Sequence, residues 1–344
     1  MSHSSERILQ QRQQLQKMAQ GYRQAQILMT CVELGVFEVL VAGPATAPEI
    51  SQAIGADARG TELLLNAATA LDLLEKDGER FGNTPLAETY LLVSSPASLV
   101  SALRLQNAFY QRWGRLAEAV RSGQRPAENR GDEQPADWIQ AFVHGLYTMA
   151  RPAAPAIASA IAEALPLAPD RPLRLIDVGG CHGAYSMALA QRYPLLTATV
   201  YELPRVAPVA REIIAEAGMS AQVAVQEGDF QSQELGAGYD MALVFGVLNG
   251  ESPTGRPALI HKVFRAINPG GWIVLRDFVL DPNRAGPPEA AIFALQMLLA
   301  TDAGGVDTRT DWKTWLTMAG FTGPQEVRLP EWIGATLTLA QKPA

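Results

Sequence analysis

The chain has 344 residues, 48% hydrophobic and 18% charged, which supplies a large core and exceeds one domain of typical size, so two domains are expected. Its 28 Lys and Arg against 35 Asp and Glu leave a net charge of −7, the wrong sign for a general nucleic-acid binder. Two cysteines, Cys31 and Cys181, and four histidines without an HxxxH pair argue against a disulfide framework and against a metal centre.

The N-terminus is polar and lacks the apolar stretch of a signal peptide, and no uncharged apolar run reaches about 18 residues. A soluble, cytoplasmic protein with no membrane span is expected. Residues 6–20 are rich in Gln, with Ile8, Leu9, Leu15 and Met18 at roughly helical spacing, and the pattern continues through Ile27, Leu28, Val32, Leu34 and Phe37. Thr46-Ala-Pro-Glu49 has the form of a capping box. Helices are predicted at 47–54 and 59–74, the second burying Leu63, Leu64, Leu65, Leu71, Leu73 and Leu74. Lys76-Asp-Gly78 is a polar turn, and Arg80–Thr84 a short strand. Helix, helix, helix, hairpin is the order of a winged helix. Between Val41 and Leu103, three basic residues (Arg59, Lys76, Arg80) face eight acidic ones, so packing against another chain is expected in place of DNA.

Residues 122–137, with two Pro, two Gly and six charges, read as a surface loop. Trp138–Leu165 is helical, broken near Arg151-Pro152 and Ala154-Pro155, and Pro169 and Pro172 close the connection. From Leu173 the period changes. Strands at 173–179, 197–201, 223–226, 241–247 and 272–278 alternate with helices at 184–193, 206–217 and 260–266. That alternation predicts a parallel, doubly wound α/β sheet.

Ligands of such sheets bind at the carboxyl ends of the strands, near the point where the strand order reverses. Asp177-Val-Gly-Gly-Cys-His-Gly183 lies at the end of the first strand, where glycines let the backbone approach a ligand. It lacks the G-x-G-x-x-G spacing of dinucleotide binders. Tyr201-Glu202-Leu-Pro204 puts a carboxylate at the end of the second strand, placed for ribose hydroxyls. Glu227-Gly-Asp-Phe230 follows the third, with a carboxylate for an amino group and an aromatic face for a purine. Asn268-Pro-Gly-Gly271 is the turn entering the fifth strand.

These motifs, with Asp311–Phe321, resemble the S-adenosylmethionine-dependent O-methyltransferases of the plant caffeate and acetylserotonin type and their bacterial secondary-metabolism relatives. The resemblance covers nearly the whole chain. It implies a Rossmann-like domain binding S-adenosylmethionine, preceded by a mainly α winged-helix domain that makes an intertwined homodimer. Expected boundaries are 1–105 for the dimerisation domain, 106–168 for connecting helices that line the pocket and 169–344 for the methyltransferase domain. By resemblance, Asp177, Gly179, Gly180 and Cys181 line the methionine part of the cofactor. Glu202 meets the ribose and Asp229 and Phe230 the adenine, with Leu203 and Gly228 also at the cofactor. Phe245 stands where many relatives carry Lys.

Two departures matter. Cys181 replaces a glycine of the family loop, so any need for φ > 0 there is relaxed or tolerated, and His182 beside it reads as a loop side chain. Asn249 occupies the place of the His that deprotonates the acceptor, and an amide can orient a hydroxyl but cannot take its proton. Asp277 and Asp307 match the acidic residues that flank that base in the family; His261 reads as a surface residue. Three options stay open: an acceptor that ionises by itself, Asp277 or Asp307 as base, or a cofactor-binding protein diverted from methylation. C-methylation and a non-methylating, cofactor-assisted conversion also remain. Tyr110, Trp113, Tyr147, Phe293 and Met297, among other apolar residues of these helices, suggest a flat, aromatic acceptor.

Overall fold

The computed structural model describes residues 3–126, 136–168 and 170–344, in two units, Met1–Phe109 and Tyr110–Ala344. In the first, helices His3–Gln20, Tyr22–Glu33, Ala47–Ile54, Ala58–Ala70 and Pro85–Tyr90 accompany a small antiparallel sheet. Its strands are β1 (Ala45–Thr46), β2 (Leu74–Asp77) and β3 (Arg80–Asn83), in the order β1-β3-β2, the layout expected of a winged helix. Thr46 caps its helix as its spacing requires: its hydroxyl accepts from the Glu49 amide, and the Glu49 carboxylate accepts from the Thr46 amide at 2.7 Å. Cys31, Phe37, Ile50, Leu65, Leu74 and Phe81 form the core.

One expected helix is shorter than its leucines suggest. It ends at Ala70, Asp72 takes a positive φ of 58°, and Leu74 opens β2 instead. Three consecutive leucines point in three directions about 100° apart, so Leu65 is fully buried while Leu63 is 59% exposed. On helix His3–Gln20, Ile8, Leu9, Leu15 and Met18 are all exposed within this chain.

The second unit is built on a seven-stranded sheet. Its strands are β4 (Leu173–Val178), β5 (Leu196–Glu202), β6 (Val223–Glu227), β7 (Tyr239–Phe245), β8 (Ile267–Asp277), β9 (Thr322–Val327) and β10 (Thr336–Gln341). The order is β6-β5-β4-β7-β8-β10-β9, with β4 to β8 parallel. β9 and β10 form an antiparallel pair added at the β8 edge, which the strand pattern of the sequence does not anticipate. Asn268-Pro-Gly-Gly271 is not a turn before β8 but a bulge within it: pairing with β7 jumps from Tyr239↔Ile267 to Met241↔Trp272.

Successive residues of the central strands face opposite sides, as the period of two demands. Leu175, Leu243 and Val274 pack with Ile157, Ile161 and Leu189 of the helices on one face. Ile176, Val244 and Leu275 pack with Leu259, Trp312 and Phe321 on the other. Most of the expected loop at 122–137 and Pro169 lie outside the described residues; the neighbouring helices stop at Ser122 and resume at Ala136, and the expected break separates Ala136–Ala150 from Ala154–Ala164.

Thr46→Ala removes the capping box and is expected to lower stability by about 1 kcal/mol, read from the denaturant midpoint of the first unit's transition. An unchanged midpoint would show that tertiary packing alone holds that helix.

Candidate active site

The sheet order reverses at β4, whose neighbours β5 and β7 are reached in opposite directions. The loop leaving β4 is shaped by close packing. Gly179 has a φ of +64°, and a Cβ on it would stand 2.7 Å from the Val247 side chain. A Cβ on Gly180 would stand 2.5 Å from the Asp177 carboxyl carbon. Cys181 itself takes a φ of 49°, so the left-handed conformation is tolerated, not relaxed, and its strain is carried by the surrounding contacts. Its amide donates to Glu202 Oε2 at 3.0 Å. Burial pushes the Cys181 thiol up, and the carboxylates of Glu202 and Asp177 push it further, so the sulfur stays protonated and unreactive.

Asp177 is fully buried. Its Oδ2 accepts from Ser186 at 2.7 Å, and its Oδ1 has no partner among the described residues. Burial raises its pKa to about 7, against the Ser186 hydrogen bond and aided by Glu202. Glu202 ends β5, its Oε1 accepting from the Leu203 amide at 2.8 Å. Burial raises its pKa, opposed by the two amides. After β6, the Gly228 amide donates to Glu202 O at 2.9 Å. The Asp229 carboxylate accepts from the Gln231 amide at 2.8 Å and from Ser232 at 3.1 Å, and Phe230 is half-buried beside it. Lys262, not anticipated from the sequence, fixes this turn by donating to Phe230 O and Gln233 O at 2.6 and 2.7 Å. An orphaned buried carboxyl oxygen, a glycine cradle and a second carboxylate one strand away fit the amino-acid end and ribose of S-adenosylmethionine. Phe245 closes β7, edge-on to Tyr185 at 5.0 Å, and gives that side an apolar wall.

Asn249 sits in a single helical turn after β7, Leu248–Gly250, and is 1% exposed. Its Nδ2 donates to Phe278 O at 3.3 Å, which fixes the amide orientation. Its Oδ1 is buried without a partner among the described residues. Asp277 ends β8 and accepts from the Phe278 amide at 3.0 Å and from the Asn249 amide at 3.4 Å. Burial drives its pKa to about 7 against those two amides.

Asp307 is held differently. Its Oδ1 accepts from Arg256 at 2.7 Å in a buried ion pair, and burial still raises it to about 6 against that charge. Arg256, which no sequence motif singles out, also donates from Nε to Leu248 O at 3.1 Å and Glu251 O at 3.0 Å. The Gly305 amide adds a bond to Asn249 O at 2.9 Å. Arg256 therefore ties the turn carrying Asn249 to the segment carrying Asp307. A carboxylate engaged by a guanidinium is a weaker proton acceptor than Asp277.

Of the expected acceptor-side residues, Phe293 packs at a tilt against Phe278, ring centres 4.5 Å apart, and the carbonyl of Phe278 is Asn249's partner. Trp113 donates from Nε1 to the buried Gln296 at 2.6 Å, a polar group that the apolar pattern conceals. Tyr147 lies 5.8 Å from the His182 ring, while Tyr110 and Met297 are half-buried without a ring or side-chain hydrogen bond to these residues. His182 accepts from the Ala184 amide through Nδ1, and burial, helped by Arg276, lowers its pKa to about 3. His261 is exposed. A cavity of about 560 Å³ bordered by Phe230, Gln231, Gly250, Glu251 and Lys262 opens beside the β6 turn, and neither Asp177 nor Glu202 lines it.

Two outcomes follow from these charges. Arg256→Met leaves Asp307 buried and unpaired and should cost about 3–5 kcal/mol in denaturant unfolding, most of it recovered by adding Asp307→Leu. Asp177, Asp277 and Asp307 have folded pKa values of about 7, 7 and 6, above the ordinary 3.8. The fold then binds more protons than the unfolded chain, so stability is full below about pH 4 in this respect and falls as pH rises to 7. Asp177→Asn should flatten the difference in thermal midpoint between pH 5 and pH 8; an unchanged slope would show that Asp177 does not contribute to it.

The chain resembles known proteins in sequence and in fold. Residues 162–322 match the profile of the O-methyltransferase domain, and residues 16–92 that of the O-methyltransferase dimerisation domain. The 3-hydroxy-5-methyl-1-naphthoate 3-O-methyltransferase of Streptomyces sahachiroi is 31% identical over 319 residues, covering 91% of this chain and 90% of that one. The N,N-dimethyltransferase OxyT of Streptomyces rimosus is 30% identical, covering 97% of both. The crystal structure of human N-acetylserotonin methyltransferase in complex with S-adenosylmethionine superposes with a TM-score of 0.82 at 28% identity, over 97% of this chain and 98% of that one.

Proposed function

The chain belongs to the S-adenosylmethionine-dependent O-methyltransferase family, and on that premise we propose that it methylates a hydroxyl of a small aromatic or polyketide-like metabolite. The cofactor supplies a sulfonium-bound, electrophilic methyl group. Asp177, the Gly179–Cys181 backbone and Glu202 hold its amino-acid and ribose parts, and Asp229 and Phe230 its adenine. The observation that carries the acceptor side is Asn249: its Nδ2 is fixed on Phe278 O and its buried Oδ1 is free to accept a hydrogen bond from the acceptor hydroxyl. That contact orients the oxygen without removing its proton. Alignment can supply roughly 7–11 kcal/mol of the barrier reduction, so an acceptor of low intrinsic pKa needs little more. Asp277, with a pKa near neutrality, is the group best matched to receive a proton where one must leave.

A second reading is favoured by the similarity to OxyT and by the missing His: transfer to a neutral amine, which attacks before it loses a proton. The exposed apolar face of Ile8, Leu9, Leu15 and Met18, within or beside the matched dimerisation profile, supports a homodimer. No single helix among the described residues is long and apolar enough to cross a membrane, and two unpaired cysteines suit a reducing cytoplasm.

Calorimetry with S-adenosylhomocysteine should show micromolar binding, and matched phenol and aniline acceptors should then be followed by mass spectrometry for an added methyl group. Product from phenols supports the first reading and product from anilines alone the second. Binding with no product from either would leave a cofactor-binding protein diverted from methylation. Asn249→His should speed methylation of weakly acidic phenols by roughly 100-fold or more, the size of a general-base contribution. A light-scattering mass of one chain at micromolar concentration would exclude the dimer.

A further inference from the structure

Phe230 has neighbours on two sides. A Cβ on Gly179 would stand 3.8 Å from its Cε1, so the ring reaches the glycine loop after β4. The same residue lines the cavity of about 560 Å³ beside the β6 turn. That cavity therefore adjoins the cofactor crevice at its adenine end, away from Asp177 and Glu202, which do not line it. A purine hangs from the ribose by its five-membered ring, so the edge bearing the 6-amino group is the one turned away from the ribose. With the ribose at Glu202 and the ring against Phe230, that edge is the part of the cofactor nearest the cavity.

The charged groups of the lining are engaged within the chain. Glu251 accepts from Gln231 Nε2 at 3.0 and 3.1 Å, and Lys262 donates to Phe230 O and Gln233 O. Asp302 pairs with Arg125 at 2.8 Å. A neutral ligand leaves none of these charges newly unpaired. Beyond them the walls offer carbon: the Phe230 ring, Ala258, Leu259, Ala303 and the backbone of Gly250. A Cβ on Gly250 would meet nothing within 4 Å among the described residues, so that wall borders open space. The volume falls within the roughly 300–1,000 Å³ of small-molecule sites, far more than an amino group needs.

We propose that this cavity extends the adenine site, and that the enzyme binds adenosyl cofactors enlarged at the 6-amino nitrogen by a neutral alkyl or aryl group. A nitrogen with one such substituent keeps one N–H. Asp229 has lone pairs to accept it besides those given to the Gln231 amide and Ser232. The extension rests on the placement of adenine at Asp229 and Phe230 proposed above.

The probes are S-adenosylhomocysteine and its 6-benzylamino derivative, titrated calorimetrically into the wild-type chain. The derivative should bind within about threefold of the parent, or up to roughly tenfold more tightly as its ring meets the apolar wall. A loss of more than about threefold overturns the proposal without any variant having to fold. Gly250→Leu projects a side chain into the cavity, and should weaken the derivative roughly tenfold or more while holding the parent within about threefold. Ala258→Leu, on helix Gly255–Ala266 and outside the turn that carries Asn249, should do the same. Derivative affinity that survives both substitutions overturns the proposal. So does an equal loss of both probes in a variant of unchanged thermal midpoint, which would place adenine itself in the cavity. Asp229→Ala should weaken both probes. Parent affinity indifferent to Asp229→Ala would remove the adenine placement and the extension with it. A wild-type penalty on the derivative with that dependence intact would sink the extension alone.

Discussion

Parallel pairing of β4 with both β5 and β7 is the constraint on which the rest depends. The chain leaves β4 for β5 on one side and returns for β7 on the other, so no connection can cover the carboxyl end between them. The crevice is a topological necessity, and its lining is whatever the sequence places at the ends of five neighbouring strands. Here it places Asp177, Glu202, Phe245 and Asp277 there, three carboxyls and one ring, all buried.

Burying carboxyls without cations is expensive, and the structure meets the cost in different ways. Glu202 takes two backbone amides, Asp277 takes two others, and Asp307 takes a full guanidinium. Asp177 has a single hydroxyl donor and neither an amide nor a cation, so one of its oxygens stays unpartnered among the described residues. The contrast separates two roles. Asp307 and Arg256 hold a turn in place, while Asp177 and Glu202 leave capacity for a ligand. Arg276 is the complementary case, a cation set against rings.

Much of this is legible in the chain. Glycines and carboxylates at strand ends have a spacing that shows in the sequence itself, because the turn and the strand length fix them locally. The βα alternation likewise reveals the parallel strands. What escapes depends on distant partners. Nothing in the sequence near Arg256 points to Asp307, 51 positions on, and Gln296 hides in an apolar run because its partner is Trp113. β9 is hidden because Thr322–Val327 carries Gly, Pro and polar residues with no alternation to mark it, although its partner β10, Thr-Leu-Thr-Leu-Ala-Gln, does alternate. Counting leucines misplaces Leu63, because helix faces and not runs decide burial. The substitution at Cys181 is legible as a change of residue, but only the backbone shows that the left-handed turn persists beneath it.

The half-satisfied Asp177 makes the crevice a small proton reservoir. With a pKa of about 7, the free protein carries a fractional proton there at neutral pH. A positively charged group arriving at the unpartnered oxygen favours the ionised form, so occupancy expels that proton into the medium. The heat of binding would then vary with the ionisation enthalpy of the buffer, and affinity would strengthen as the solution becomes more alkaline across neutrality. Cofactor and product share the same amino-acid end, so each would release this proton on binding and take it up on leaving, separately from any proton lost by the acceptor.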